Sequence, residues 1–381
     1  MKILLTIHER FLPDSGSAGS TFRLGEAYRR LGHEVTFFSL DDMPGLQRQA
    51  KRFVFPEFVA SRVAALARQG LDVVDGAPGD NWICGLISQR LGAQRPAIIT
   101  RSHGLQHLEH LWSLEEARQG RLQLSWFYSL YRGGYLLWEI GNSLRYADLA
   151  FFLNRQEAQY ACEHLQVPPE RVRVFPNGIP EGFIGLPLDP LPPPDGPIRI
   201  VQMGTYIQRK GIEYSVPALK SILKTYPNVK ISFVGTGFSE LDDPKALVYQ
   251  DFDPSVHHRI TVIPRYPHDA LPELLKGHHI MVFPTLSEGF GKALVEAMAC
   301  GLVPVTTDAD GPMEIVQANH DALVVPRRDA AAIQMAVEAL ITDRERLATL
   351  RHNAYHTAQR YSWDAIAKKR LAEYETVLQR R

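Results

Sequence analysis

The sequence predicts an α/β protein of two domains, each doubly wound about a parallel sheet. Three observations carry this. The chain has 381 residues, more than one hydrophobic core comfortably organises. Short apolar, β-favouring runs alternate with segments of helical periodicity, as βαβ units do. A proline-dense stretch at 186–197, LPLDPLPPPDGP, forbids helix and ladder and reads as a stiff linker. The expected domains are therefore 1–185 and 198–361, with 362–381 as a closing helix.

Residues 2–7 form a continuous apolar run, as strands buried on both faces do. Residues 13–20, PDSGSAGS, read as a small-residue loop. An amphipathic helix follows at 21–31, closed by Gly32, and then a second strand at 35–39. This is a βαβ opening. Ligands in open α/β sheets sit at the carboxyl ends of strands, which makes Gly16 and Ser17 candidate ligand contacts.

Helices are predicted over 53–70 and 80–91, with a short strand at 73–74 between them. A strand at 97–100 runs directly into Arg101, Ser102, His103 and Gly104. A His placed there points to the ligand side of the sheet; the plainer alternative is a capping or core His. His103, His107 and His110 partly suit one helix face, but no carboxylate or thiolate accompanies them, and no metal site is expected. His257, His258, His278 and His279 read as surface or loop residues.

Residues 111–146 read as a helical pair packed on the first sheet and split at Gly133 and Gly134. Their aromatic residues, interleaved with Arg118, Arg121 and Arg132, also suit an acceptor or membrane-surface patch. A strand at 150–153, a helix at 156–165 and a strand at 172–175 follow, and Asn177 and Gly178 supply a tight turn.

The second domain opens with a strand at 198–203 and the loop GTYIQRKG at 204–211. Strands are expected at 230–234 and 260–263. Gly235, Thr236 and Gly237 lack the third glycine and helix start of a dinucleotide fingerprint, and Phe238, Ser239 and Glu240 do not supply them. A helix at 271–276 leads to a strand at 280–284. A short strand at 322–326 and helices at 329–342, 343–361 and 362–378 finish the chain, the last with Ser362 as a candidate N-cap.

Composition narrows the function classes. Basic and acidic side chains number 42 each, so no net field argues for nucleic acid. Cys84, Cys162 and Cys300 are scattered and odd in number, which fits reduced, buried thiols in the cytosol. The N-terminal apolar run lacks a cleavage site and reads as a strand. No charge-free apolar stretch reaches spanning length, and no internal repeat is evident.

The chemistry concentrates at 285–305, TLSEGFGKALVEAMACGLVPV. A glycine-containing turn precedes a helix at 292–300 stopped by Gly301, and 303–305 begins the next strand. The first turn of a helix presents N–H groups of partial positive charge, so Gly289, Phe290, Gly291 and Lys292 suit a phosphate or diphosphate. Glu288 stands before this helix and Glu296 on it. A carboxylate accepts from two vicinal hydroxyls, so this pair suits two polyols flanking a diphosphate. Taken singly, either glutamate is equally a solvated residue.

SEGFGKALVEAMACGLVPV closely resembles the Glu-x7-Glu signature of the retaining GT-B glycosyltransferases of family 4, the glycosyl transferases group 1. The resemblance covers nearly the whole chain except 105–140 and 238–258. It implies a GT-B fold, two Rossmann-like domains facing a central cleft, with the last helix at 362–381 crossing back to the first domain. It implies transfer, with retention, from a nucleotide-diphosphate sugar to an acceptor hydroxyl, in bacterial-type glycan or glycolipid biosynthesis and without a required metal. Glu296 would hold the ribose and Glu288 the donor sugar. Lys210 would neutralise the departing diphosphate with the 289–292 amides, His103 would face the donor sugar, and Gly16 and Ser17 would close over the phosphates. Arg265 would lie by the base.

One departure stands out: in the element spanning Gly204 to Gly211, Thr205 replaces the usual Arg, and Arg209 is either its stand-in or an ordinary surface residue at a helix start. The alternatives are a nucleotide-sugar epimerase and a non-catalytic nucleotide-sugar binding protein on the same fold. The expected location is cytoplasmic, peripheral at the inner membrane face through 111–146. The acceptor, whether sugar, lipid-linked or small-molecule, is left open.

Overall fold

The computed structural model describes residues 1–12, 16–45, 47–88, 95–193, 195–237 and 243–380, with Arg48 and Gln49 as backbone only. The expected loop at 13–15, part of the helix at 80–91 and the residues 238–240 weighed against a fingerprint lie outside them. The chain divides into two compact units, Met1–Gly178 with Trp363–Arg381, and Ile179–Ser362.

The first unit holds β1 (Lys2–Ile7), β2 (Glu34–Ser39), β3 (Val73–Gly76), β4 (Ala97–Arg101), β5 (Leu149–Phe152) and β6 (Val172–Val174). They form one sheet, ordered β2-β1-β3-β4-β5-β6, and every pair is parallel. The pleat sends alternate residues to opposite faces. Ile3 and Leu5 pack with Leu24, Tyr28, Leu371 and Tyr374, under the helices Ser17–Arg30 and Trp363–Gln379. Leu4, Val74 and Ile98 pack the other way, with Phe55, Val59 and Val63 of the helix Phe55–Ala67. Both faces are covered, which is why these strands read as unbroken apolar runs.

The second unit repeats the plan with β7 (Ile198–Met203), β8 (Val229–Val234), β9 (Ile260–Ile263), β10 (Ile280–Phe283), β11 (Val303–Thr307) and β12 (Leu323–Val325). The order is β12-β11-β10-β7-β8-β9, again wholly parallel. Asp329 and Asp343 cap the helices Ala330–Thr342 and Arg344–Ala358, their carboxylates accepting from Ala332 N–H and Arg346 N–H at 2.8 Å each.

The strand order of each sheet reverses once. In the first unit β1 and β3 flank that point, and in the second β7 and β10 do. The loops beyond their carboxyl ends are where an open α/β sheet receives ligands.

Several sequence expectations need correction. The first domain boundary falls at Gly178 rather than 185. Ile179 N–H donates to Tyr361 C=O and Gly185 N–H to Gln359 Oε1, both at 2.8 Å, which ties 179–185 to the second unit. The proline-dense stretch is no free spacer: Asp189 accepts from Gly277 N–H at 3.0 Å. Ser17, Ala18, Gly19 and Ser20 are helical, not loop, because packing of the last three overrides weak propensity. The 111–146 region is Gln106–Arg118, Trp126–Leu130 and Leu136–Arg145, with Gly133 and Gly134 inside a wide π-type turn, Tyr131–Tyr135, rather than at a break. His278 and His279 are buried in the second unit, and Cys162 and Cys300 are only partly buried. Among the described residues no helix is long and apolar enough to cross a membrane.

Candidate active site

In the second unit, β7 and β10 lie side by side, so the loops that follow them start from neighbouring strand ends. Gly211, at φ +72°, makes their contact tight. A Cβ on it would fall 1.9 Å from the Pro284 carbonyl oxygen, so only glycine lets the two main chains meet. Leu286 N–H donates to Arg209 C=O at 2.9 Å, locking the loops in register.

The loop after β11 closes from the other side. Gly311 N–H donates to Glu288 C=O at 3.1 Å, and a Cβ on Gly311 would stand 2.4 Å from that oxygen. Three loops from adjacent strands therefore fix the backbone around Glu288.

Lys210 and Glu288 form an ion pair through Nζ and Oε2, both side chains largely sheltered from solvent. Lys210 Nζ also stands 5.6 Å from the centroid of the Phe283 ring, a cation–π contact. Arg209 donates through Nη1 to Ser287 C=O at 2.9 Å. Burial pushes the Glu288 carboxyl up. The charges of Lys210 and Arg209, with the Lys210 hydrogen bond, outweigh it and hold Glu288 below its ordinary range. Glu288 is thus a carboxylate paired with Lys210, with the charge of Arg209 close enough to favour its ionised form.

The helix Lys292–Ala299 starts at Gly291, which is left-handed at φ +97°, and its first turn leaves N–H groups without partners inside the helix. Glu296 is buried and takes His268 Nε2 against Oε1 at 2.8 Å. Lys292 Nζ lies 4.0 Å from the same oxygen. Tyr266 feels the carboxylate as well: burial and then the Glu296 charge hold its phenol protonated, well above its ordinary range. Phe290, buried, packs against Tyr361 with ring centroids 5.8 Å apart.

Each unit matches a family model of its own. Residues 189–357 match glycosyl transferases group 1, and residues 15–182 match glycosyltransferase family 4. The chain belongs to the group 1 glycosyl transferases. Solved structures repeat its fold. A sucrose-phosphate synthase from Thermosynechococcus elongatus superposes with a TM-score of 0.78 at 21% identity, covering all of both chains. Anabaena HepE, solved in complex with UDP, gives 0.72 at 18% identity, over 99% of this chain and 100% of its own. In sequence, the D-inositol 3-phosphate glycosyltransferase 1 of Catenulispora acidiphila is 31% identical over 150 residues, 39% of this chain and 36% of the relative. The chain spans about half the length, or less, of the curated relatives it matches.

Against the group 1 signature, the second unit brings Lys210, Arg209, Glu288 and the 289–292 turn together. Gly204 belongs here too: a Cβ on it would stand 3.7 Å from Lys210 Cε. Glu296 sits one helical stretch further on, with its own partner in His268. Arg265 is exposed, beside the Gly235–Thr236–Gly237 turn, where Gly237 N–H donates to Pro264 C=O at 3.0 Å. His268 and Tyr361 are not legible in the sequence as neighbours of these residues, nor is the contact of Gly311 with Glu288 C=O. A His or Gly in a loop carries no signal of which carboxylate the fold will bring to it.

The remaining candidates lie in the first unit. His103 follows β4, and both its ring nitrogens are buried without a hydrogen-bond partner. Burial, then the charges of Arg101, Arg370 and His8, keep it neutral, well below the ordinary histidine range. Gly16 is the N-cap of Ser17–Arg30 and Ser17 its first residue; Ser17 Oγ donates to Glu9 Oε2 at 2.7 Å. His110 faces Tyr128 at 3.1 Å, and among the described residues no group of three or more His, Cys, Asp or Glu could hold a metal ion.

Proposed function

We propose that this chain transfers a sugar, with retention at the anomeric carbon, from a nucleotide-diphosphate sugar to an acceptor hydroxyl in glycan or glycolipid synthesis. The observation that carries the reading is the convergence of Lys210 and Arg209 on Glu288, beside the start of the Lys292–Ala299 helix, at the point where the second sheet reverses.

Two cations and a helix N-terminus make a seat for a diphosphate, and its charge grows as the glycosidic bond breaks. Lys210 leaves Glu288 for the phosphate, which frees the carboxylate to accept from two donor-sugar hydroxyls. Glu296, with His268 as its inner partner, accepts from the ribose. Arg265 is the residue proposed for the base, and His103, Gly16 and Ser17 are those proposed to act on the donor. The structures of HepE with UDP and with UDP-glucose support a uridine diphosphate donor as the first to test. Lys210, Arg209 and the helix amides supply the charge stabilisation a divalent cation would otherwise give, so turnover is expected to survive a chelator.

Exposed aromatic residues support a peripheral membrane contact. Trp126 is 79% exposed, Leu130 62%, Trp138 53% and Phe127 51%. Tryptophan, with an apolar body and a polar tip, favours the headgroup level of a bilayer.

UDP-glucose turnover by wild type and Lys210→Ala tests the reading. Wild-type turnover no faster than the variant's would sink it in favour of a binding protein. Turnover to an epimeric nucleotide sugar without any acceptor would favour an epimerase.

A further inference from the structure

The first sheet also reverses once, between β1 and β3, and the loops beyond those strands carry a polar group of their own. His8 follows β1, and Asp80 lies beyond β3. His8 Nδ1 stands 2.5 Å from Asp80 Oδ1, and Thr6 Oγ1 donates to Asp80 Oδ2 at 2.7 Å. Both carboxylate oxygens are thereby used, and Asp80 is buried. A carboxylate only accepts, so Nδ1 carries the hydrogen and Nε2 is the nitrogen left for a ligand.

His8 and Asp80 line a hollow with room for about one water-sized group, about 10 Å³. Arg52 and Glu139 line it too. Arg52 Nε is buried without a hydrogen-bond partner, and Glu139 is buried, accepting from Trp82 Nε1 at 3.3 Å. Beside it, Trp82 and Trp138 meet edge to face with centroids 5.0 Å apart. An imidazole nitrogen, an unpartnered guanidinium Nε–H and a carboxyl are what a hydroxyl engages, and a hydroxyl is the group of the right size.

We propose that this hollow seats one hydroxyl of the acceptor, a sugar or cyclitol, with His8 Nε2 accepting the hydroxyl hydrogen while Arg52 Nε–H donates to the same oxygen and Glu139 flanks it. Asp80 is a positioning residue: it fixes the His8 tautomer and ring plane. This rests on the transferase reading, because only a transferase needs a second, hydroxyl-bearing substrate.

The test is nuclear magnetic resonance on the full chain labelled with ¹⁵N-histidine, with His8→Gln assigning the His8 signals. His8 is expected to show a protonated Nδ1 and a bare Nε2. Titration with myo-inositol and with methyl α-D-glucoside, each with and without saturating UDP, is expected to move the Nε2 signal saturably. Arg52→Gln and Glu139→Gln should each weaken that response about fivefold, the worth of one hydrogen bond. A protonated Nε2, no response to either polyol, or a response untouched by both substitutions overturns the proposal. UDP alone should move His268 and not His8. A still His268 would therefore indict the donor site, and a still His8 this one.

Discussion

The Lys210 ammonium and the Glu288 carboxylate are partners across 78 residues of sequence, joined because Gly211 lets two neighbouring loops touch main chain to main chain. Removing the cation removes the chief attraction holding Glu288 ionised against its burial. Lys210→Met should therefore raise the Glu288 pKa and leave the leaving group unneutralised. The expected loss of donor turnover is about a hundredfold or more, read as kcat on UDP-glucose. Thr205→Arg, by contrast, should change UDP affinity little, since Arg209, held on Ser287 C=O, already brings its charge to bear on Glu288. A large gain would show that place to be vacant.

Glu296 and His268 make the second prediction. At 2.8 Å the imidazole occupies Oε1 of the carboxylate, and Oε2 is the oxygen proposed to accept from the ribose. Glu296→Gln keeps an oxygen for His268 but replaces a charged acceptor with an amide. UDP affinity by calorimetry should fall about tenfold, ~1.4 kcal/mol, with little change in melting temperature. Unaltered affinity would take the ribose role from Glu296.

Much of this was legible beforehand, and the reason is burial. Parallel strands covered on both faces must be apolar throughout, so Lys2–Ile7 and Ile280–Phe283 announce themselves. Glu288 and Glu296 stand out as candidates because glycines and a helix start lie next to them in sequence, and Lys210 because its loop resembles the family's element. Ser17 was misread because Ala18, Gly19 and Ser20 are helical through packing, not propensity. The 179–185 boundary was hidden because it is set by main-chain bonds to Tyr361 and by Gln359, far along the chain. His268 and Gly311 were invisible for the same reason: their partners arrive only with the fold.

His279 makes stability depend on pH. Its Nδ1 accepts from Arg199 N–H at 3.1 Å, so that nitrogen must be unprotonated in the folded chain. Burial, followed by the nearby charges of Arg351, His278 and the other flanking bases, depresses its pKa to about 4. Burial does the same to His278, also to about 4. A depressed folded-state pKa means the unfolded chain binds the proton first. The stabilisation is complete above the unfolded value near 6.5 and is lost as pH falls towards 4, up to ~3 kcal/mol per histidine. His279→Asn keeps an acceptor for Arg199 and cannot take a proton. Between about pH 7 and about pH 5 its melting temperature should fall less than that of the wild type. Parallel curves would remove His279 from the account.

Asp75 gives the largest expected effect on folding. It is fully buried, its Oδ1 2.5 Å from Arg101 Nη1, while Oδ2 accepts from the Tyr374 hydroxyl of the returning helix Trp363–Gln379. Tyr374 in turn meets the Tyr28 hydroxyl at 2.8 Å, and the Arg370 guanidinium lies over Phe151 and Phe175. One carboxylate thus compensates a guanidinium in the interior and anchors the last helix to β3. Breaking such a pair leaves a buried charge uncompensated, which costs about 3–5 kcal/mol. Asp75→Asn should lower the stability of the first unit by that order in urea unfolding. Limited proteolysis should then cut first in the 363–379 helix, since its polar tether is gone. A variant as stable as wild type, with that helix still protected, would mean that the apolar contacts of Trp363, Leu371 and Tyr374 hold it without Asp75.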